Sequence, residues 1–489
     1  MLFNSHIFML LFLPLLLAGW YFLNWKKKFQ LAQGYLIGMS LWFYAYANLQ
    51  YLWLLLFSCL IGWLLSCLPE KISSEKGKKV LTGVGCVFHL GLLGHFKYSN
   101  FFLENLNTVF HTDFPMLQIL LPVGISFYTF QQLAYLIDRC RGDAPRDRFF
   151  DYLTFMVYFP QLLQGPILLR SEFMGQLKEP ERRRFHAERF SEGIQFFVFG
   201  LAKKVLLADT LAKAVNYGYS NVSMLDSISA LLLAVGYLTE LYFDFSGYCD
   251  MAVGLGKMIG LEVAENFDAP FHSASVKEFW RRWHMTLGRF FTRYVYIPLG
   301  GNRRGKMGTL CNVMIVMLLS GLWHGAAWTF VLWGFLHGVG MIWDNLEHPH
   351  LPKKWMRQAA TFAYVCMTFV FFRAESIAQG VDVLKSIVSL KWNGFVFQMA
   401  SALDLTEFYM ITKALSMKLP RLLSWFWLGI FVVLIAICFR VLSGEKVSGV
   451  VALQRQKGYG RLYPVLLAVL FTWSMISMTG VSEYLYFSF

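Results

Sequence analysis

The sequence carries little charge for its length. Only 15% of its 489 residues are Asp, Glu, Lys or Arg, whereas soluble domains carry about 25%. No polar linker divides the chain, although a soluble protein of this size would form about two or three domains. With 56% hydrophobic residues and a mean hydropathy of +0.47, this composition excludes a soluble enzyme, a disordered protein and a small secreted domain. It predicts an all-α protein that crosses a membrane many times.

Several signatures of other enzyme classes are absent. The eight cysteines form no C-x-x-C pair, so we expect neither a disulfide framework nor a cysteine-bound metal. There is no P-loop, G-x-S-x-G, H-E-x-x-H or dinucleotide fingerprint, which argues against nucleotide hydrolysis, a serine nucleophile elbow and a zinc protease. We therefore expect no metal and no permanently bound cofactor.

Acidic residues are fewer than basic ones, 30 against 44, which gives a net charge of +14. The basic residues lie in short loops between apolar runs, and no aromatic-basic reading surface or known motif indicates nucleic-acid binding. We therefore expect no nucleic-acid partner. The same loops could serve an anionic cytosolic cosubstrate such as a nucleotide or coenzyme A.

About twelve apolar runs approach the roughly 20 helical residues that cross a bilayer. The first lies near residues 5–25 and the last near residues 462–480. Several are short or broken by Gly and Pro, so some are expected to be re-entrant. The length argument predicts about 10 to 13 membrane helices.

The charged loops predict the orientation. Lys26–Lys28 follow the first apolar run, so this run is not a cleaved signal peptide and the N-terminus faces outward. The basic segment 440–461 precedes the last run, which then crosses outward. This places the C-terminal residues 484–489 on the outer side as well.

One histidine lies inside a very apolar segment, Gly321-Leu-Trp-His-Gly-Ala-Ala-Trp328. Ionisable residues at such depth usually mark function. The small residues 325–327 leave room beside His324, and desolvation keeps its imidazole neutral, the form that a general base requires. A core histidine bonded to a neighbouring helix is the alternative. His337 would lie about 20 Å away along a continuous helix, and we interpret it as structural.

A second segment, 277–293, combines aromatic residues with His284 and four arginines, Arg281, Arg282, Arg289 and Arg293. If this segment forms one helix, His284 lies on the same face as Arg281, and the other three arginines lie on a neighbouring face. It predicts a cytoplasmic membrane-surface helix whose arginines bind the phosphates of coenzyme A, with His284 directed to the reaction centre. A positive-inside anchor explains the arginines equally well.

A third segment lies within 121–170 and contains Pro122-Val-Gly-Ile-Ser-Phe-Tyr128 and Phe159-Pro-Gln-Leu-Leu-Gln-Gly-Pro166. Its Gly and Pro residues in apolar surroundings predict broken helices that line a cavity. Helix packing alone would explain them nearly as well.

These blocks resemble the membrane-bound O-acyltransferase (MBOAT) family, and within it the bacterial alginate O-acetyltransferase-like proteins. The resemblance is carried by LPVGISFYTFQ (121–131), FPQLLQGPILLR (159–170), YFDFSGYCDMAVGLGKMIG (242–260), NFDAPFHSASVKEFWRRWHMTLGRFFTRYVYIPLGGNRRG (266–305), LSGLWHGAAWTFVLWGFLHG (319–338) and FFRAES (371–376). It implies one integral membrane domain over 1–489, with the motif-bearing core at 90–376 and a final helix and aromatic tail at 462–489.

The resemblance also implies a fold and a site. The fold is a ring of membrane helices around a thinned centre, with a funnel on each side, in a bacterial cytoplasmic (inner) membrane. His324 of the WHG motif is the implied catalytic residue, and His284 of the RWH motif is its companion. Acetyl-coenzyme A is the implied cytoplasmic donor. A partner of the SGNH-hydrolase type then esterifies a cell-surface polysaccharide.

The chain ends in Tyr484-Leu-Tyr-Phe-Ser-Phe489, which resembles the F-x-Y-F-x-F tail of extracytoplasmic acylation systems with Tyr in place of the first Phe. The resemblance implies that Tyr486 carries the acyl group outward. An interfacial aromatic anchor is the alternative for this tyrosine.

Three classes of function remain open from the sequence. The first is an acetyltransferase subunit acting for an alginate-like polysaccharide, or for peptidoglycan or cellulose by the same mechanism. The second is a transporter or channel lined by His324 and the broken helices. The third is a non-catalytic scaffold of a polysaccharide export complex. The long motif blocks favour the first.

Overall fold

The computed structural model describes residues 1–346, 352–403, 405, 409–442, 446–458, 460, 462–478 and 484–485. All the regular elements in these ranges are helical, which confirms the all-α prediction. The α-helices are α1 (Leu13–Trp25), α2 (Phe29–Asn48), α3 (Leu52–Cys67), α4 (Glu75–Leu93), α5 (Ser99–Phe110), α6 (Ile125–Arg141), α7 (Phe149–Val157), α8 (Phe159–Leu162), α9 (Arg170–Lys178), α10 (Ala187–Ala202), α11 (Asp209–Ser220), α12 (Ser227–Ile259), α13 (Val276–Arg282), α14 (Met285–Phe291), α15 (Gly305–His324), α16 (Trp328–Asn345), α17 (Lys354–Arg373), α18 (Ile377–Val388), α19 (Phe395–Ser401), α20 (Tyr409–Lys418), α21 (Pro420–Leu442), α22 (Val447–Lys457) and α23 (Leu462–Ser477). Single π-helical turns adjoin several of them at Phe8–Phe12, Gly94–Tyr98, Lys203–Ala208 and Thr292–Tyr296.

Six helical segments among the described residues are long and apolar enough to cross a membrane. They are Phe8–Trp25, Leu49–Lys71, Glu75–Phe110, Ser227–Ile259, Gly305–His324 and Pro420–Val441. This number is smaller than the 10 to 13 expected from the apolar runs, because several runs are divided. The run near 150–169, for example, contains two short helices that meet at Tyr158.

Helix α12 is the longest element and lies against α10 along a stripe of glycines. A Cβ atom built on Gly254 would lie 2.5 Å from the carbonyl oxygen of Gly193, and one on Gly247 would lie 2.7 Å from that of Gly200. Only hydrogen fits at these positions, so the two backbones approach closely. The approach places the turn that follows α10, beginning at Lys203, beside the middle of α12.

The apolar run around His324 is a helical hairpin. Helix α15 ends at His324, and α16 begins at Trp328 and returns antiparallel to it. A Cβ atom on Gly334 would lie 2.5 Å from the carbonyl oxygen of Met317 and 3.3 Å from Cα of Gly321, so the two helices pack backbone to backbone. The continuous helix assumed in separating His337 from His324 was therefore wrong, because the chain reverses at residues 325–327.

The segment 277–293 is also divided. Helix α13 ends at Arg282 and α14 begins at Met285, and His284 between them has a left-handed backbone with φ of 45°. The prediction of one helical face shared by His284 and Arg281 was therefore wrong. Backbone hydrogen bonds to the irregular segment 266–268 hold the break and replace the helical bonds that are lost.

The two ends of the described chain lie together. The His6 ring is 3.2 Å from the carbonyl oxygen of Met475 at the end of α23. The Phe3 ring stacks on Tyr248 at 4.7 Å, and the Tyr484 ring meets the same tyrosine edge-on at 5.0 Å. Residues near both ends of the described chain therefore pack on Tyr248 of α12. The outward orientation of the termini stays a prediction from the loop charges.

Candidate active site

The structure brings the two predicted histidines together. His284 and His324 are both buried, and their ring centroids are 6.5 Å apart. Phe245 contacts the His284 ring at 4.7 Å, and Trp333 contacts the His324 ring at 5.1 Å. Aromatic rings therefore surround two ionisable side chains that lie 40 positions apart in the sequence.

Hydrogen bonds to Asn266 define the proton position on His284. The side-chain oxygen of Asn266 accepts the backbone N–H of Thr286 at 3.1 Å, and a backbone N–H can only donate. The same oxygen is 3.2 Å from Nδ1 of His284, so Nδ1 must carry the proton. Nε2 then holds the lone pair, and it has no hydrogen-bond partner among the described residues. This is the tautomer that a general base requires.

The backbone of His284 is strained at the same place. A left-handed conformation costs a non-glycine residue about 1–2 kcal/mol. It persists because Met285 donates its N–H to the Asn266 carbonyl at 2.9 Å while Asn266 also holds the His284 ring. Strain of this kind concentrates at functional sites. Asn266 therefore fixes both the backbone and the side chain of His284.

The end of the helix that carries His324 is capped by a lysine. The Lys97 ammonium donates to the carbonyl oxygens of Trp323, at 2.7 Å, and His324, at 2.9 Å. The Tyr98 hydroxyl donates to the carbonyl oxygen of Leu322 at 2.5 Å. These carbonyls end a helix and have no partner within it, and a cation there also complements the helix dipole. Lys97 thus fixes His324 in place.

A small cavity opens beside His324. It has a volume of about 50 Å³ and is lined by Lys97, Trp323, His324, Leu163 and residues 121–127. Gly124, with φ of 78°, begins α6 against the α8 turn, where a Cβ atom would lie 2.6 Å from the carbonyl oxygen of Leu162. The prediction that the broken helices of this segment line a cavity is confirmed, and tight packing also contributes.

His337 is bonded at both ring nitrogens. Trp280 donates its indole N–H to Nδ1 at 3.2 Å, and Nε2 lies 2.9 Å from the Thr368 hydroxyl. Because Nδ1 accepts, Nε2 carries the proton and donates to Thr368. A fully bonded ring agrees with the structural role that we assigned to His337.

The four arginines do not converge on one point. Arg282 pairs with Glu278 at 2.9 Å, Arg289 with Glu172 at 3.0 Å and Arg293 with Asp138 at 3.0 Å and Asp143 at 2.9 Å. Arg281 is exposed and has no ion-pair partner among the described residues. Three of the four positive charges are therefore neutralised by neighbouring carboxylates.

A much larger cavity lies between α10, α12 and the helices α21 to α23. Its volume is about 1,420 Å³, and its walls include Cys249 and Asn266, so it extends to the residue that holds His284. Lys446 lines it and pairs with the carboxylate of Asp268 at 3.5 Å. The carbonyl oxygen of Asp268 accepts from Arg282 at 3.3 Å, which places the end of α13 beside this wall.

Tyr486 lies outside the described residues, and so does the rest of the tail beyond Leu485. The two residues before it are described. Tyr484 is buried, and the backbone N–H of Leu485 donates to the Asp244 carboxylate at 3.1 Å. Asp244 lies near the middle of α12 and pairs with Lys204 at 2.6 Å.

Sequence reasoning missed Asn266, Lys97 and the Lys204–Asp244 pair. Charged residues inside apolar runs are a signal of function or of a specific partner, and both lysines carry that signal. Nothing in the local pattern distinguishes Asn266, because its role depends on the break at His284.

These features define an all-helical integral membrane protein with a buried pair of histidines between two cavities. A family model described as "MBOAT, membrane-bound O-acyltransferase family" matches residues 146–379, which include both histidines. The chain is 35% identical over 423 residues to a peptidoglycan O-acetyltransferase of Helicobacter pylori, covering 80% of each chain. It is 39% identical over 389 residues to a probable alginate O-acetylase of Azotobacter vinelandii, covering 77% of this chain and 76% of the relative.

The chain therefore belongs to the membrane-bound O-acyltransferase family and is an acyltransferase. More distant similarity extends to a teichoic acid D-alanyltransferase of Bacillus subtilis, with 28% identity over 274 residues, 52% of this chain and 69% of the relative. The alternatives of a transporter and of a non-catalytic scaffold lose their support at this point.

Proposed function

We propose that this protein moves an acetyl group from cytoplasmic acetyl-coenzyme A across a bacterial cytoplasmic membrane for O-acetylation of a cell-surface polysaccharide. His324 and His284 are the proposed catalytic pair, and Tyr486 is the proposed acyl carrier. The observation that carries the proposal is the 6.5 Å approach of two buried imidazoles, beside a cavity lined by His324.

The chemistry follows from a neutral imidazole. His324 takes the phenolic proton of Tyr486 while the phenol oxygen attacks the thioester carbonyl. The carbon–sulfur bond breaks, coenzyme A leaves and receives the proton, and Tyr486 carries the acetyl group as an aryl ester. The acyl transfer to a polymer hydroxyl restores the phenol. His284, fixed with its lone pair on Nε2, is the second acceptor available in the centre.

The small cavity favours a short acyl group. One buried water needs about 10–15 Å³, so a cavity of about 50 Å³ holds only a few small groups. An acetyl group is of that size. A long acyl chain would require the walls at residues 121–127 to move.

The large cavity is the space that we assign to the acyl donor. Its volume of about 1,420 Å³ exceeds the range of about 300–1,000 Å³ for ordinary ligand pockets, and it extends to Asn266. Arg282 at the end of α13 lies beside this wall, because Arg282 and Lys446 both contact Asp268. We assign Arg282 and its exposed neighbour Arg281 to the proposed path of the phosphates. Arg282 also pairs with Glu278 but adjoins this wall, whereas Arg289 and Arg293 pair with carboxylates elsewhere and contribute less to this proposed site.

The acceptor is proposed from the relatives. The name of one relative specifies alginate and that of another specifies peptidoglycan, each with similarity over about three quarters or more of this chain. We propose an alginate-like polysaccharide as the acceptor. Peptidoglycan is the second candidate, because the similarity to the peptidoglycan O-acetyltransferase extends over 423 residues of this chain. A partner of the SGNH-hydrolase type would complete the transfer on the outer side.

The test is to look for the acylated intermediate. Purified protein in nanodiscs is incubated with radiolabelled acetyl-coenzyme A without a partner, and the C-terminal peptide is analysed by mass spectrometry. We expect one acetyl group on Tyr486 in the wild type and none in Tyr486→Phe, with donor binding unchanged. Labelling that is equal in both proteins would remove Tyr486 from the mechanism. Movement of the intact donor across the membrane without its cleavage would indicate a transporter.

A further inference from the structure

A buried ion pair lies in the middle of the bundle. Lys204 and Asp244 are both about 2% exposed at their side chains and are 2.6 Å apart, and Asp209 contacts the same ammonium at 2.8 Å. Burying two charges is costly unless their remaining hydrogen-bonding positions are also satisfied. The groups that occupy the remaining hydrogen-bonding positions of this pair therefore indicate its role.

The C-terminal tail contacts both members of the pair. The backbone N–H of Leu485 donates to Oδ2 of Asp244 at 3.1 Å, while Lys204 contacts Oδ1 of the same carboxylate. The Tyr484 ring lies under the Lys204 ammonium, 4.6 Å from the ring centroid, which is within cation–π distance. Leu485 thus contacts the carboxylate of the pair, and Tyr484 contacts its ammonium.

A neighbouring ion pair shows that these contacts are specific. Lys203 and Asp250 lie 2.6 Å apart and join the same two elements. Lys203 directly precedes Lys204, and Asp250 lies less than two helical turns after Asp244 on α12. They contact neither Tyr484 nor Leu485 among the interactions of the described residues. A pair that joined these elements for another reason would not need to face the tail, and Lys203–Asp250, which lines the large cavity instead, is such a pair.

We propose that Lys204, Asp244 and Tyr248 form a docking site for the C-terminal tail, which we call the tail dock. Tyr484 is its anchor: it is buried, with its ring edge-on to Tyr248 at 5.0 Å. The dock sets the position of the chain two residues before Tyr486. The part of this inference that concerns acyl transfer rests on the proposed function.

The dock lies close in the chain to the histidine centre. Asp244 precedes Phe245, whose ring contacts His284 at 4.7 Å. Both residues belong to one rigid helix, α12, so the position of the docked tail is fixed relative to His284. An anchor of this kind holds the tail near the reaction centre without a covalent link.

The dock is tested by amide hydrogen exchange of the full-length protein in nanodiscs, followed at the C-terminal peptide. Tyr484→Ala removes the anchor, Tyr484→Phe keeps the ring, and Asp244→Ala removes the carboxylate. The matched control is the double variant Lys203→Met, Asp250→Asn, which breaks the neighbouring ion pair. Exchange across α10 and α12 reports whether each variant is folded.

We expect the Leu485 amide to be protected in the wild type, in Tyr484→Phe and in the control. Its exchange should accelerate about tenfold or more in Tyr484→Ala and Asp244→Ala. Rapid exchange in the wild type, or equal protection in Tyr484→Ala, would overturn the dock. If Asp244→Ala does not fold, the comparison of Tyr484→Ala with Tyr484→Phe decides alone.

Acetylation of Tyr486 provides a separate readout. With an intact dock and an active shuttle, Tyr484→Ala should lower labelling of Tyr486 about tenfold or more while donor binding is unchanged. A protected Leu485 amide without any labelling of Tyr486 in the wild type would contradict the shuttle and leave the dock standing. Labelling that is lost in Tyr486→Phe but is unchanged in Tyr484→Ala would contradict the dock's role in transfer.

Discussion

Asn266 holds Nδ1 of His284 at 3.2 Å through its side-chain oxygen. Because that oxygen also accepts a backbone N–H from Thr286, it cannot be exchanged with the amide nitrogen by a flip of the side chain. One asparagine therefore determines which ring nitrogen of His284 is basic. It does so in a part of the chain where the backbone is strained, which makes Asn266 a positioning residue for the histidine pair.

Substitution of Asn266 should reduce turnover more than donor binding. Asn266→Ala leaves the His284 tautomer undetermined, so kcat should fall about 10- to 100-fold, within the range of general acid–base contributions. KM for acetyl-coenzyme A should change by less than about threefold. Asn266→Asp keeps an acceptor oxygen and should restore part of kcat.

Steady-state kinetics of purified wild type, Asn266→Ala and Asn266→Asp make this comparison. A purely structural role would lower the amount of folded protein and leave kcat per folded molecule unchanged. Loss of activity to the same extent in Asn266→Asp and Asn266→Ala would also contradict the tautomer argument.

Removal of the cap on α15 should displace His324. Lys97→Met keeps the length of the side chain and loses both hydrogen bonds to the Trp323 and His324 carbonyls. We expect kcat to fall about tenfold or more, because misplacement of a catalytic group by about 1 Å is costly. Lys306→Met, at the exposed other end of the same helix, is the matched control. Equal activity of the two variants would show that the cap does not position the site.

The hairpin of α15 and α16 should not tolerate a larger residue at its crossing. Gly334→Val places methyl groups against the Met317 carbonyl, 2.5 Å from a Cβ atom. Overpacking of this kind costs about 1–3 kcal/mol. The expected result is a lower unfolding temperature in detergent, measured by intrinsic fluorescence.

Gly83→Val is the control for that measurement, because a Cβ atom on Gly83 meets nothing within 4 Å. Its unfolding temperature should equal that of the wild type within error. Equal unfolding temperatures of Gly334→Val and Gly83→Val would contradict this prediction. They would show that the crossing of α15 and α16 accommodates a larger side chain without loss of stability.

Filling the large cavity should weaken donor binding. Gly429 lines this cavity, and a Cβ atom there meets nothing within 4 Å, so Gly429→Trp adds bulk without a backbone clash. We expect KM for acetyl-coenzyme A to rise about tenfold or more, since the indole occupies the volume that we assign to the donor. Arg281→Ala should raise KM by a smaller factor, through loss of one phosphate contact.

Titration of acetyl-coenzyme A against both variants distinguishes the two parts of the donor site. Unchanged KM in Gly429→Trp would exclude the cavity as the donor site. A large increase confined to Arg281→Ala would instead support the basic surface of α13 on its own.

The sequence predicted the all-helical class and the family, and it selected the two histidines that the structure brings together. Motif blocks and intramembrane ionisable residues are local signals, and the catalytic role of the histidines stays a prediction. The sequence did not predict the break at His284. The residues of α13 and α14 on either side of the break are compatible with one helix. The left-handed turn at His284 is imposed by backbone hydrogen bonds to residues 266–268. The hairpin at 325–327 was also missed, since two packed helices and one long helix have the same apolar composition.

Long-range contacts explain what else could not be predicted. Lys97 and His324 lie 227 positions apart, and Leu485 lies 241 positions from Asp244. Each residue is unusual where it occurs, but only the fold shows its partner. The separation of the four arginines could not be predicted for the same reason. Carboxylates from distant helices pair with Arg289 and Arg293, so the four arginines do not form one phosphate-binding surface.

The central claim is that His324 is the catalytic base, and the most direct test is the rate of thioester cleavage at saturating acetyl-coenzyme A. His324→Gln should lower this rate about 100-fold or more, with unchanged donor binding and membrane insertion. His337→Gln, a substitution of the bonded histidine on the neighbouring helix, should retain a rate within about threefold of the wild type per folded molecule. Cleavage by His324→Gln at the rate of His337→Gln would contradict the account.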